Sequence, residues 1–249
     1  MLSRVLHDST MNTSKVADTS LPGTSETGDA LRCVGIILDG NRRWAKKRGL
    51  PTLMGHREGA VRLKDCARWC KARSVANLVV FAFSTENWKR TTEEVGYLMD
   101  LMRETIRKDA QELVDEGARI RIVGERERLP EDLQRSVAQI EADSAKNEAF
   151  ALWVCISYGG RAEIVAAANA ARGENITEES LTSHMWTAGM PDPDIIIRTG
   201  GRHRISNFLL WQSAYSEIFF SDSMWPDFSE KELDAILAEY AERERTFGK

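Results

Sequence analysis

With 249 residues, 42% of them apolar and 8% aromatic, the chain has material for one large or two small domains around a sizeable core, which excludes disorder of the whole. Its 34 Lys and Arg face 38 Asp and Glu for a formal charge of -4, so no global positive field attracts nucleic acid and any anion must be gripped by a local cluster. The longest apolar runs, such as 150–156, fall far short of the roughly 18 residues of a bilayer span, and no signal peptide is recognisable, so the expectation is a soluble, cytoplasmic protein.

Residues 1–30 carry ten Ser or Thr and a Pro22-Gly23 step without sustained periodicity, which predicts a disordered tail in which Met11 is an alternative start. The domain proper is expected over 31–249. Short apolar runs at 33–38, 78–83, 119–123, 150–157, 194–198 and 217–220 predict six strands. Between them, Val95, Leu98, Met99, Met102, Ile106 and Leu113 form one stripe of 3.6-residue period, the mark of a long amphipathic helix. Near the end, Ser229 and Glu232 are spaced as a capping box and Phe228 and Leu233 as a hydrophobic staple, ahead of a buried face of Leu233, Ile236, Leu237 and Tyr240. Strand and helix alternating in this way predict a single α/β domain, a mostly parallel sheet of about six strands with helices on both faces. Cys33, Cys66, Cys70 and Cys155 make neither a CxxC pair nor a disulfide framework, and Cys66 and Cys70 read as reduced core thiols. Trp69, Trp153, Trp186, Trp211 and Trp225 are expected in the core.

In such sheets ligands sit beyond the carboxyl ends of strands, so the segments that follow the strands are where chemistry is sought. After the first comes Asp39-Gly40-Asn41-Arg42-Arg43-Trp44. A carboxylate at a strand end, a Gly allowing close backbone approach and two Arg entering a helix could hold a metal and a phosphate; equally, Asp39 could merely cap the helix. After the second comes Ser84-Thr85-Glu86-Asn87-Trp88-Lys89-Arg90, then Thr91 and Glu94 spaced as a capping box, a loop that suits a phosphorylated ligand or is simply polar. After the fifth, Arg198, Arg202, His203 and Arg204 crowd around Gly200-Gly201 and precede Ser206, which favours anion binding. Glu217 alone reads as an edge-strand charge, and His56 as a structural loop histidine. No GxxxxGK[ST], GxGxxG, HExxH or GxSxG is present, which removes the usual support for kinase-like, nicotinamide-dependent, zinc-protease and serine-hydrolase readings.

Taken together, Ile36-Ile37-Leu38-Asp39-Gly40-Asn41-Arg42-Arg43-Trp44-Ala45, Phe81-Ala82-Phe83-Ser84-Thr85-Glu86-Asn87-Trp88-Lys89-Arg90 and the segment from Ile197 to Gln212, with Ala214-Tyr215-Ser216-Glu217 and Trp225-Pro226-Asp227-Phe228, resemble the cis-prenyltransferase family, whose members include undecaprenyl and dehydrodolichyl diphosphate synthases. The likeness runs from about Cys33 to Gly248. It implies condensation of isopentenyl diphosphate with an allylic diphosphate such as farnesyl diphosphate, each new double bond cis, with release of pyrophosphate and a requirement for magnesium. By motif, Asp39 would hold Mg2+ and assist departure of the allylic diphosphate, whose oxygens would meet Gly40, Asn41, Arg42 and Arg43. Asn87 and Arg90, with Ser84, would orient the diphosphates and help the proton leave the condensing carbon. Arg198, Arg204 and Ser206 would bind the isopentenyl diphosphate, and Glu217 would assist the metal. Trp44, His56 and Trp88 become expected substrate-site residues. The likeness also implies a homodimer, a hydrophobic tunnel for the growing chain and, through a lipid product, contact with the membrane surface.

Several positions depart from the pattern. Arg42 replaces a Gly common in bacterial members, though Arg stands there in eukaryotic ones, Thr91 a frequent Pro, Cys33 a frequent His, Thr52 an Arg that some bacterial members use near the allylic diphosphate, and Arg202 the usual Glu. The stretch between Ala171 and Pro191 is short. Ala82, a small residue, favours a long product. Two other readings compete with a catalytic synthase: a non-catalytic partner subunit, which would have lost motif residues that this chain keeps, and a member making a short or branched product.

Overall fold

The computed structural model describes residues 31–173 and 175–243; the tail expected at 1–30, and with it Met11, lies outside the described residues. Six strands, β1 (Cys33–Ile37), β2 (Asn77–Ser84), β3 (Ala118–Val123), β4 (Phe150–Tyr158), β5 (Ile195–Arg198) and β6 (Glu217–Phe220), form one sheet in the order β3-β4-β2-β1-β5-β6, every pair parallel. Each lies within one residue of its expected bounds. The runs are Val- and Ile-rich because both faces are covered. Alternation then decides which core each side chain enters: Val34, Ile36, Leu78, Val80, Ile120 and Ile122 pack into one apolar cluster, while Cys33, Ile37, Val79, Val123 and Cys155 pack into another across the sheet. All four cysteines are buried and unpaired. Trp153 and Trp225 are core residues as expected, but Trp69, Trp186 and Trp211 are only half-buried.

The helices are α1 (Asn41–Lys47), α2 (Thr52–Ala72), α3 (Thr92–Thr105), α4 (Gln111–Asp115), α5 (Glu131–Asp143), α6 (Gly160–Ala170), α7 (Glu178–Ser183) and α8 (Glu230–Glu242). The stripe predicted from Val95 to Leu113 is one run in space, α3 joined to α4 through a π-helical turn at Ile106–Ala110, with Leu98, Met99, Ile106 and Leu113 buried. At both expected capping boxes the hydroxyl half forms and the carboxylate half does not. Thr91 Oγ1 accepts from Glu94 N and Ser229 Oγ from Glu232 N, but the Glu232 carboxylate takes the Ser221 hydroxyl and the Glu94 carboxylate turns to arginines. A charge-assisted bond outweighs a return bond to the cap's own amide. The staple holds, since Phe228 and Leu233 are fully buried in the same cluster. In the short stretch before Pro191, α7 has six residues.

Because the strands are all parallel, their carboxyl ends share one edge. Asp39, Ser84, Gly159, Thr199 and Ser221 follow or end strands there, which is how segments far apart in sequence reach one place.

Candidate active site

Asp39, two residues past β1, is the hub of this edge. Its backbone is held first: Asp39 N donates to Thr199 Oγ1 at 3.1 Å, and Asp39 O accepts from Thr199 Oγ1 at 2.8 Å and from Trp225 N at 3.0 Å. Its side chain then takes one guanidinium on each oxygen. Arg198 Nη2 donates to Oδ2 at 2.8 Å, and Arg43 Nη2 to Oδ1 at 3.1 Å. Burial alone would raise the Asp39 pKa, but the bonds and charges of Arg198 and Arg43 win and hold it below the usual aspartate value, so the group is an anion at neutral pH. Arg198, itself almost fully buried at the end of β5, extends the chain: its Nη1 donates to Arg204 O at 2.5 Å and Ser206 Oγ at 2.6 Å, and Arg204 Nε reaches the same hydroxyl at 3.2 Å. Asp39, Arg43, Arg198, Arg204 and Ser206, expected together on motif grounds, are thus one hydrogen-bonded network.

Glycines make the close approaches possible. A Cβ on Gly200, whose φ is +83°, would lie 2.6 Å from Arg43 Nη2, and the Gly200 carbonyl accepts from Arg43 Nη1 at 2.7 Å. On α2, a Cβ on Gly55 would lie 2.0 Å from Asn41 O and one on Gly59 2.5 Å from Asn41 Oδ1, so these two residues let α2 lie directly on the start of α1. That contact carries His56 to the cluster.

A second group of charges stands at the start of α3. Glu94 Oε1 pairs with Arg90 Nη1 at 3.0 Å and Arg42 Nη1 at 3.6 Å. His56 lies beside them, and burial first, then the Arg90 charge, pushes its pKa down to about 4, leaving a neutral imidazole. Burial likewise lowers Arg90. Among the described residues His56 Nε2 and Asn41 Oδ1 are buried without a hydrogen-bond partner, polar atoms ready for a ligand. Sequence reasoning gave Glu94 only a capping role; its spacing of four from Arg90 was the available signal.

Two cavities meet here. One, about 850 Å3 counted out to its open mouth, is lined by Asp39, Gly40, Asn41, Arg42, Arg43 and Arg90, among others. The other, about 960 Å3 on the same count, is walled by α2, the α3–α4 run and the sheet, with Ala82, Leu98, Met102, Ile106 and Leu152 among its apolar sides. Leu38, Asn41 and His56 line both. A cationic chamber therefore adjoins a greasy one, an arrangement suited to an amphiphile with an anionic head.

Not every expected residue joins. Ser84 and Asn87 lock each other at the end of β2 in a capping box, Ser84 N donating to Asn87 Oδ1 at 3.0 Å. The Trp44 indole donates to Asp227 Oδ1 at 2.7 Å beneath Arg48, and the Trp88 indole to Ser157 Oγ at 2.9 Å against Phe83; neither ring lines the chambers. Glu217 stands apart. It opens β6 in register with Ile195, three residues before the Arg198 level and two strands from β1, about 10 Å down the strand direction, and its carboxylate pairs with Arg243. Arg202 is exposed. Among the described residues no group of three or more His, Cys, Asp or Glu gathers. A lone ionised aspartate fits Mg2+, which is commonly held by one or two carboxylates with substrate phosphates and water completing the shell.

Residues 37–248 match a family model whose description reads "Putative undecaprenyl diphosphate synthase". An isoprenyl transferase of Neisseria gonorrhoeae is 45% identical over 221 residues, 88% of this chain and 89% of the relative, and one of Listeria monocytogenes is 45% identical over 87% of this chain and 90% of its own. Among solved structures, a lavandulyl diphosphate synthase of Lavandula x intermedia in complex with dimethylallyl diphosphate superposes with a TM-score of 0.84 at 34% identity over 88% of this chain and 98% of that one. A probable undecaprenyl diphosphate synthase of Campylobacter jejuni gives 0.76 at 31% over 89% and 100%. With its six-stranded parallel sheet and its strand-end cluster of arginines around one aspartate, the chain belongs to the undecaprenyl diphosphate synthase family and is a prenyltransferase.

Proposed function

We propose that the protein elongates prenyl chains in cis, condensing isopentenyl diphosphate with an allylic diphosphate, farnesyl diphosphate in the first instance, to a long Z-polyprenyl diphosphate. The observation that carries this reading is the junction of the two chambers at Leu38, Asn41 and His56: a cationic space for diphosphates on one side, an apolar space for a hydrocarbon on the other. The apolar chamber is the tunnel of this proposal.

Two diphosphates must share one chamber, and like charges at about 4 Å repel by roughly 1 kcal/mol per pair even in water. Arg42, Arg43 and Arg90 offset that repulsion for the allylic diphosphate, with Gly40 and Asn41 beside its oxygens. Arg198, Arg204 and Ser206 do so for isopentenyl diphosphate. The bond from the allylic carbon to its diphosphate oxygen breaks, the isopentenyl alkene bonds to that carbon, and a proton passes from the condensing unit to the departing pyrophosphate. The motif gives Ser84 and Asn87 the role of orienting the diphosphates beside that proton, although here Ser84 N donates to Asn87 Oδ1 and neither residue lines the chambers. No nucleophilic side chain is required; positioning and electrostatics suffice. Asp39 is the residue that would hold Mg2+, which when bound supplies charge neutralisation of the departing pyrophosphate.

Within one chain Glu217 does not reach Asp39, so its assistance to the metal enters this reading only through a second copy. The β6 edge that carries it, with Ile218 and Phe220 exposed, supports a homodimer. Among the described residues no helix is long and apolar enough to cross a membrane, and a lipid product places the work at the cytoplasmic membrane surface.

The likeness to the lavandulyl enzyme, together with the unusual Arg202, supports a second reading, a single branched condensation. Incubating the purified protein with farnesyl diphosphate, radiolabelled isopentenyl diphosphate and magnesium, then sizing the products, decides. A long Z-chain is the expected result, one branched condensation favours the second reading, and no incorporation leaves a non-catalytic partner subunit.

A further inference from the structure

We propose that Glu94 is an internal stand-in for the diphosphate, holding Arg42 and Arg90 when the chamber is empty and yielding them when the ligand arrives. The inference rests on the reading of the cationic chamber as a diphosphate site.

An exposed Glu and Arg four residues apart on a helix would need no such account. This pair is different. Arg90 precedes the N-cap of α3, and the Glu94 side chain, 14% exposed, points its Oε1 at two guanidinium groups that both line the chamber. Arg90 is 25% exposed and among the described residues its guanidinium bonds only to Glu94, so without that carboxylate a largely enclosed cation would be left bare. The neutral His56 beside these groups, its Nε2 unmet among the described residues, offers a ligand a polar contact without adding charge.

An interaction made in the empty state and lost on binding subtracts its free energy from the ligand's affinity. Glu94 thus weakens the grip on diphosphates, and that is useful where pyrophosphate must leave after every condensation.

Calorimetric titration of inorganic pyrophosphate into the full-length protein tests this. Glu94→Gln is expected to bind roughly tenfold more tightly than the parent, within the usual range of coupling between two sites. Glu93→Gln, which removes an exposed neighbouring charge, is the control for charge alone and is expected to shift affinity far less. Structural damage would weaken binding, so a gain is diagnostic. Arg42→Ala in the Glu94→Gln background should cancel much of the gain. Equal or weaker binding by Glu94→Gln, or an equal gain in Glu93→Gln, overturns the proposal. If polyprenyl product forms but Glu94→Gln binds no more tightly, the stand-in alone falls. If no product forms yet the gain appears, the stand-in survives and the chain-elongation reading falls.

Discussion

At the β1–β5 corner, Asp39 gives one oxygen to Arg198 and the other to Arg43, and its own backbone is clamped by Thr199 and Trp225; at the α3 corner, Glu94 offers a single oxygen to Arg90 and Arg42, one at 3.0 Å and one at 3.6 Å. The first corner is built from strand ends whose register fixes every backbone position, the second from side chains reaching across from α1, α3 and the connection between β2 and α3. The difference teaches where rigidity is needed. The group proposed to hold a metal is fixed through its own backbone, whereas the guanidiniums proposed to receive and release a diphosphate share a single carboxylate oxygen.

The comparison breaks first at Asp39. Asp39→Asn keeps the shape but removes the charge, and turnover measured by isopentenyl incorporation should fall about 10^3-fold, the scale seen when a transition-state charge partner is lost, with magnesium dependence abolished. If turnover survives, the rigid corner is structural. Next comes Arg198→Lys, which keeps a cation but loses the fork that joins Asp39, the Arg204 carbonyl and Ser206. The KM for isopentenyl diphosphate should rise about tenfold or more, with stability in urea reduced by about 2 kcal/mol because the pair is largely buried. An unchanged KM would separate Arg198 from substrate.

The α3 corner is sharpened by pH. His56 titrates at about 4 in the fold and near 6.5 when unfolded. As the folded value is the lower one, the unfolded chain takes up the proton first, so this contribution is whole above about pH 6.5 and is lost as pH falls toward 4, by about 3 kcal/mol at most. Urea midpoints of the parent should therefore drop across that window more than those of His56→Gln; parallel curves would refute the enclosed neutral imidazole. The smallest effect on rate is expected where neither corner is touched. Ala82→Trp, in the wall of the apolar chamber, should leave turnover of the first condensation near the parent value while shortening the products, and unchanged chain lengths would show that the hydrocarbon grows elsewhere.

The stretches around Asp39 and Arg198 were legible because each is a short run of charged and glycine residues set directly after an apolar strand, and parallel strands bring such runs to one edge. Glu94 was not, since its helix-cap spacing describes the amide it accepts from and says nothing of its carboxylate. Trp44 and Trp88 sit inside motifs of the chamber yet turn their indoles to Asp227 and Ser157, because a large ring follows the nearest packing partner rather than its sequence neighbours. Glu217 was placed with the metal by motif, but strand register sets it three residues too early within one chain.

By itself, then, the order of residues determined the six strands, their covered faces and the helices between them, since hydrophobic period is a local property that burial on one or two faces imposes directly. Which carboxylate faces which guanidinium, the meeting of a charged chamber with an apolar one at Leu38, Asn41 and His56, and the unmet nitrogen of His56 were decided only by tertiary structure. They depend on strand order, on two glycines that let α2 lie against Asn41, and on contacts such as that of Asp39 with Arg198, 159 residues apart, none of which is written in any single segment.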